Sequence, residues 1–376
     1  MRLFSHFGLL LLVSSLLVLS CNREKKPLVI PSTYDGSSFE SNTSNQNYLI
    51  NQLIALTDEA KKGRTATNTL SRNTMESLFT SGNPSLSGEI TTYYKGRMEG
   101  TNGFFDELAK ASGKSWTPQA PNGISEGGVF SGYLFDENGL EMEQLIEKGQ
   151  FNATLYNHAI KLMSGLITAS TVDQLLSIYG AKPGFVNSGS NNAPVDVRDR
   201  MMANYGSRRD KNDGNGLYSQ MKKAFITLQA AVKAGEDYVE ERDKAVKDIQ
   251  VIWEKINAGT VVNYCHSSIS ILSGTNPSDA QKASALHALG EGIGFISGLK
   301  SINPTYRKIT DAQIDEILTQ FNVPESAKAT VYKFATDPVN ELPKIQQALT
   351  ILQSIYGFSS QEMDDFKSNW VSIQNR

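Results

Sequence analysis

The chain has 376 residues, 36 Lys or Arg against 39 Asp or Glu, and a formal net charge of −3. That balance, with no long basic block in the mature part, argues against a polyanion partner such as nucleic acid. Two cysteines and four histidines exclude a disulfide framework and leave little material for a histidine-rich metal centre.

Residues 1–20 read as a secretion signal. Arg2 supplies the positive start, and Phe7 to Leu19 supply an apolar core too short to span a bilayer permanently. The segment ends in Val18-Leu19-Ser20-Cys21, which resembles a bacterial lipobox: an aliphatic residue three before and a small residue one before a cysteine. The resemblance implies cleavage before Cys21 and lipid on its sulfur, and several acyl chains on one cysteine anchor a protein stably. Residues 21–33 are then the lipidated cysteine and a short polar tether. With Cys21 modified, Cys265 has no disulfide partner and reads as a buried, inert thiol.

Residues 34–180 form an N-terminal helical half with long loops. Tyr34 to Asn47, rich in Ser, Asn and Gly, reads as irregular structure laid over the domain. From Tyr48 a helical stripe of Leu49, Ile50, Leu53, Ile54 and Leu56 fades at Lys61-Lys62-Gly63. Residues 64–139 read as short helices, around Met75 to Phe79 and Phe104 to Leu108, separated by glycine-rich loops. Leu140 to Ser170 is helical, broken at Gly149. There His158 shares a face with Phe151, Leu155 and Leu162, as a core-edge histidine does. Thr171 to Tyr179 adds a short helix.

Residues 181–216, with Pro183, Pro194 and many Asn, Ser and Gly, are expected to be a linker or surface excursion. Within them Asp210 to Gly216 has the look of a calcium loop but fails as one: Gly214 stands where an oxygen ligand is needed, and no glutamate fills the twelfth position.

Residues 217–376 form a C-terminal half that is almost entirely helical. Tyr218 to Ala258 reads as one or two long amphipathic helices, and Val261 to Leu272 continues after Gly259. Further on, Thr310 with Gln313 caps Asp311 to Phe321, Pro324 opens a helix through Ala335, Leu342 to Tyr356 follows, and Ser359 with Glu362 caps the last helix.

The helix that starts at Ser278 organises the rest. Ser278 and Gln281 form a capping box, and the helix ends near Ser301, ahead of Asn303-Pro304. His287 and Glu291 lie four apart on one face. Gly290, Gly294 and Gly298 form a neighbouring stripe. Each helical glycine costs roughly 1 kcal/mol against alanine, so the stripe implies close approach of another backbone and a helix buried in a bundle. His287 and Glu291 are then either a hydrogen-bonded core pair or part of a site. A metal site needs further ligands converging from other helices, and His266, Tyr264 and Glu254 are the candidates. The sequence holds no H-E-x-x-H, G-x-S-x-G, Walker loop or CxxC pair.

Several segments together resemble a family of helical lipoproteins of Bacteroidetes-type bacteria that is similar to the imelysin-like proteins. They are Tyr34 with Tyr48 to Leu53, Asn138 to Gly149, Lys223-Ala224-Phe225, Trp253-Glu254-Lys255, Tyr264, and His287 to Phe295. The resemblance implies an all-α fold of imelysin-like helical bundles and a role linked to iron or haem uptake, with a disputed assignment as metallopeptidases. That group's G-x-H-x-x-E motif is altered here. Ala285 replaces its glycine, and Glu291 follows His287 by four residues in place of three.

Two readings of function stand side by side. The first is a non-catalytic lipoprotein of the cell envelope, in the outer membrane and facing the periplasm or the cell surface. It captures iron or another divalent metal, haem or another small ligand in a cleft that His287 and Glu291 line. The second is a structural or interaction lipoprotein in which that pair is core, and loops 64–139 and 182–216 bind a protein or glycan partner. A metallopeptidase is the third reading, which requires an open metal position and a base.

Overall fold

The computed structural model describes residues 25–190 and 192–376. The signal segment and Cys21 lie outside the described residues. Among the described residues the fold is all-α apart from one two-stranded ribbon.

The N-terminal half contains α1 (Phe39–Asn42), α2 (Ser44–Lys61), α3 (Arg72–Thr80), α4 (Leu86–Glu89), α5 (Thr92–Glu99) and α6 (Phe104–Ala111). The ribbon of β1 (Gly128–Phe130) and β2 (Tyr133–Phe135) follows, antiparallel with Val129 opposite Leu134. Its two turn residues, Ser131 and Gly132, both have positive φ, the backbone that a tight two-residue hairpin requires. Next come α7 (Met142–Gln150), a π-helical segment Phe151–Tyr156, α8 (Asn157–Ser164) and α9 (Ala169–Tyr179). The helix therefore runs through Gly149 without a break. Glycine is needed there because a methyl group would strike the ring and hydroxyl of Tyr94.

Residues 181–216 hold α10 (Met201–Arg209), and the C-terminal half contains α11 (Leu217–Ala234), α12 (Val239–Leu272), α13 (Asp279–Lys300), α14 (Asp311–Gln320), α15 (Lys333–Thr336), α16 (Pro338–Tyr356), α17 (Ser360–Asp365) and α18 (Trp370–Ile373). The 34 residues of α12 extend about 50 Å at 1.5 Å per residue. They pass straight through Gly259, where a methyl group would press on the Phe366 ring at 3.1 Å. Helices α10, α11, α13 and α16 pack around α12, and α13 packs equally on α7, so one buried core joins the two halves. Its centre is aromatic: Tyr156 stacks on Trp253 at 5.1 Å, and Tyr179 meets the same indole edge-on at 5.1 Å.

Three further sequence expectations change. Tyr34 to Asn47 is not irregular throughout, since Phe39–Asn42 and the start of α2 are helical, with Phe39 buried. No helix opens at Pro324. After Asn322, at φ 59°, the chain turns back so that Thr330 N donates to Asn322 O at 2.9 Å, and only Lys333–Thr336 is helical. Residues 181–216 carry α10 and bury Phe185, Met202 and Asp199. There the Asp199 carboxylate accepts from Ser188 N at 2.8 Å and Tyr218 Oη at 2.7 Å. Among the described residues no helix is long and apolar enough to cross a membrane.

Candidate functional site

The glycine stripe of α13 does lie against another backbone. A methyl at Gly294 would stand 2.5 Å from the Gln144 carbonyl oxygen, and one at Gly298 closer still to that of Gly149. Helix α7 is therefore the partner, and it is acidic where it meets α13. Glu141 precedes it, and Glu143 and Glu147 follow on it. Glu141 and Glu143 have fully buried side chains.

Charge burial on this scale requires partners, and the fold supplies them from four elements. His287 Nδ1 lies 2.7 Å from Glu141 Oε2, with the proton between them. Arg64, just past α2, donates to both oxygens of Glu143 at 2.7 Å and to Glu141 at 3.3 Å. Tyr133 of the ribbon is the lid: its ring stacks on the His287 imidazole at 4.3 Å, and the Arg64 guanidinium sits 4.9 Å over its ring. On the far side Lys148 pairs with Glu147 at 2.7 Å and Glu291 at 3.3 Å. His287 Nε2 is 3.8 Å from Glu291 Oε2.

These contacts set the protonation of the network. Burial works against the His287 imidazolium, but the charge and hydrogen bond of Glu141, helped by Glu291, outweigh it and raise its pKa above the ordinary value. Burial, with the neighbouring Glu141 charge, pushes Glu143 up to about 7 against the pull of Arg64. Burial likewise opposes the Lys148 ammonium, yet Glu147, Tyr205 and Glu291 hold its pKa well above the usual lysine range.

Of the five sequence candidates, the structure brings together His287, Glu291 and Tyr264. Tyr264 stacks its ring on Phe295 at 6.4 Å, and its hydroxyl pKa is raised well above the usual value by burial and by the Glu291 charge. His266 and Glu254 are elsewhere. His266 sits two residues from Tyr264 on α12, which turns it to another side of that helix. It lines a surface hollow with Gln346 and Asp364, and its Nε2 has no hydrogen-bond partner. Burial, with Lys367 nearby, lowers its pKa. Glu254, ten residues before Tyr264, accepts from Lys308 N at 2.7 Å, Ile309 N at 2.9 Å and Tyr356 Oη at 2.9 Å. It is a clamp on the chain after α13. The expected core partner of His287 also changes from Glu291 to Glu141, because Glu141 lies within hydrogen-bond distance and Glu291 is shared with Lys148.

A metal does not fit this donor set. Two cations, Arg64 and Lys148, already occupy the acidic cluster, and His287 spends Nδ1 on Glu141. Among the described residues no three His, Cys, Asp or Glu side chains stand together as metal ligands. The Asp210 turn is likewise filled, its carboxylate accepting from the amides of Asn212 at 2.6 Å and Ser219 at 2.8 Å.

A separate cleft of about 230 Å³ opens between the two halves, with neither His287 nor Glu291 on its wall. Tyr93, Arg97 and Phe104 line one side, Leu318 and Val323 the other, with Lys300 between. Lys300 is neutralised by Asp315 at 2.6 Å and by Glu325. Arg97, lying 5.4 Å over the Phe104 ring, has no carboxylate partner among the described residues.

Residues 181–325 match the model of a family described as a domain of unknown function (DUF4856). Neither the curated proteins nor the solved structures offer a match to the chain. The matched span contains His287 and Glu291 but stops short of Glu141, Glu143 and Arg64, so the buried network crosses its boundary.

Proposed function

We propose that the chain is a non-catalytic binding protein, held at the cell-envelope membrane by lipid on Cys21, that takes a small organic anion into the cleft between its halves. The observation that carries this reading is the Arg97 guanidinium, which has no carboxylate partner among the described residues, on a cleft whose apolar side chains stand beside it. The acids of that cleft are engaged: Asp315 and Glu325 are paired with Lys300, and Asp136 is held by Leu140 N and Asn138 N. The guanidinium offers a charged fork for a carboxylate or phosphate, and the cleft offers apolar surface for the rest of the ligand. The lipobox resemblance supports the anchor and an outer-membrane location, facing the periplasm or the cell surface. The resemblance to imelysin-like proteins supports a place in uptake.

A cleft of this volume is below the range that holds drug-sized ligands, and a haem macrocycle is larger than it. An iron link would therefore run through a small iron-binding organic anion, not through a bare ion at His287. The buried pair His287 and Glu141 favours one part of the second reading. The histidine is a strut between halves, whether the partner of the protein is a small molecule, another protein or a glycan.

The test is a thermal-shift screen of the full chain against small carboxylates and phosphates, repeated with Arg97→Gln. A stabilising ligand whose effect is lost in Arg97→Gln supports the cleft. Stabilisation unchanged in that variant places the ligand elsewhere and overturns it.

A further inference from the structure

The chain leading in from Cys21 does not hang free where it enters the described structure. Lys25 Nζ binds Glu241 at 2.6 Å and lies 5.2 Å over the Tyr238 ring, and Tyr238 Oη donates to Lys26 O at 3.1 Å. Further on, Asp35 N donates to Gln229 Oε1 at 2.8 Å, Gln229 Nε2 returns a bond to Asp35 O at 2.9 Å, and Lys233 pairs with the Asp35 carboxylate. Residues 25–35 are thus a strap pinned to α11 and to the start of α12.

From Cys21 to Lys25 there are four peptide units, which reach no more than about 14 Å when fully extended. A lipid on Cys21 therefore cannot stand off from the protein, and the strap face has to lie near the bilayer. That face suits one. Val29 is 85% exposed and Ile30 46%. Beside Ile30 runs a groove of about 510 Å³ lined by Lys223, Lys244, Val251 and Lys255. The acids in this groove are already paired, Glu241 with Lys25 and Asp248 with Lys244. Lys244 is spent on Asp248, while Lys223 and Lys255 have no carboxylate partner among the described residues. Apolar side chains beside lysines whose stems reach up and whose ammonium groups meet phosphate are what a lipid headgroup layer accepts. The tip between α11 and α12 carries Glu236, Asp237 and Glu240, so the contact runs along the lysine-lined side and not end-on.

We infer that the strap and the α11–α12 groove form the membrane-facing surface of this protein, docked on the phospholipid headgroups of the membrane that holds its anchor. The inference rests on the lipid-anchor reading above. No residue of the ligand cleft lines the groove, so the two surfaces are separate.

The test uses the full lipidated chain in vesicles of phosphatidylethanolamine and phosphatidylglycerol containing a lipid with a nitroxide on its headgroup. A bimane fluorophore is attached at Val29→Cys or Val251→Cys, and at Ser270→Cys as control. Ser270 lies about 28 Å along α12 from Val251, and buried Cys265 does not label. The expected result is quenching at positions 29 and 251 and none at 270, with loss of quenching at 251 in Lys223→Glu. Equal quenching at all three, or quenching confined to 270, overturns the face assignment when the mass of the amino-terminal peptide shows lipid on Cys21. An unmodified Cys21 overturns the anchor reading itself, and the inference with it.

Discussion

His287 and Glu141 are 146 residues apart in the chain and 2.7 Å apart in the fold. One belongs to the glycine-striped helix of the C-terminal half, the other to the turn that opens α7. The glycines let the two backbones close, and the closure brings the imidazole to the carboxylate.

Glu141→Ala should destabilise the protein by about 3 kcal/mol, the usual loss when one member of a buried charged pair is removed. It strands His287 and removes one acceptor from Arg64. His287→Ala should cost less, since its imidazole is 20% exposed. Chemical denaturation of both single variants and the double variant checks this, with a coupling energy above about 0.5 kcal/mol expected for residues in contact.

The pH dependence has a definite sign. His287 has a raised pKa in the folded state, so its contribution is fully present below the pKa of an unfolded histidine and is lost as pH rises through the folded value. Glu143, pushed up to about 7, acts in the same direction, because its burial resists ionisation that the unfolded chain allows. Stability should fall as pH rises from the range in which an unfolded glutamate ionises to about 7, where Glu143 ionises in the fold, and go on falling until His287 loses its proton. The fall should be shallower in His287→Gln, measured by urea midpoints across that range.

Gly294→Ala should destabilise although alanine is the better helix former. The added methyl would meet the Gln144 carbonyl oxygen at 2.5 Å, and overpacking of this kind costs about 1–3 kcal/mol. Gly290→Ala, whose methyl would meet Glu141 Cβ at 3.2 Å, should cost less. Thermal melts of the two variants rank them.

Glu254→Gln should loosen the C-terminal helices without touching the His287 network. Three donors converge on its carboxylate, and an amide replaces one acceptor oxygen with a donor facing them. Hydrogen exchange should rise at Lys308 and Ile309 and stay unchanged around Gly290.

Much of this architecture was legible locally. The capping boxes at Ser278, Thr310 and Ser359 mark helix starts that the structure confirms, because a cap is chemistry between residues three apart. The glycine stripe announced a close backbone without saying whose. Distance along the chain hid the rest. Glu141, Glu143 and Lys148 lie in a segment whose acids look like a solvated face until α13 covers them, and nothing near His287 names Arg64 or Tyr133. The ribbon leaves no mark in the sequence because strands of three residues are too short for an alternating pattern to register. Gly149 reads as a break, since sequence cannot tell a glycine that ends a helix from one that makes room for Tyr94.

The most direct test of the account is native mass spectrometry of the full chain extracted from its own membrane, compared with Leu318→Trp, which fills the cleft, and with His287→Ala. The account predicts a small organic adduct that disappears in Leu318→Trp and persists in His287→Ala. A metal adduct that disappears in His287→Ala and survives in Leu318→Trp would contradict it and make the buried network the binding site.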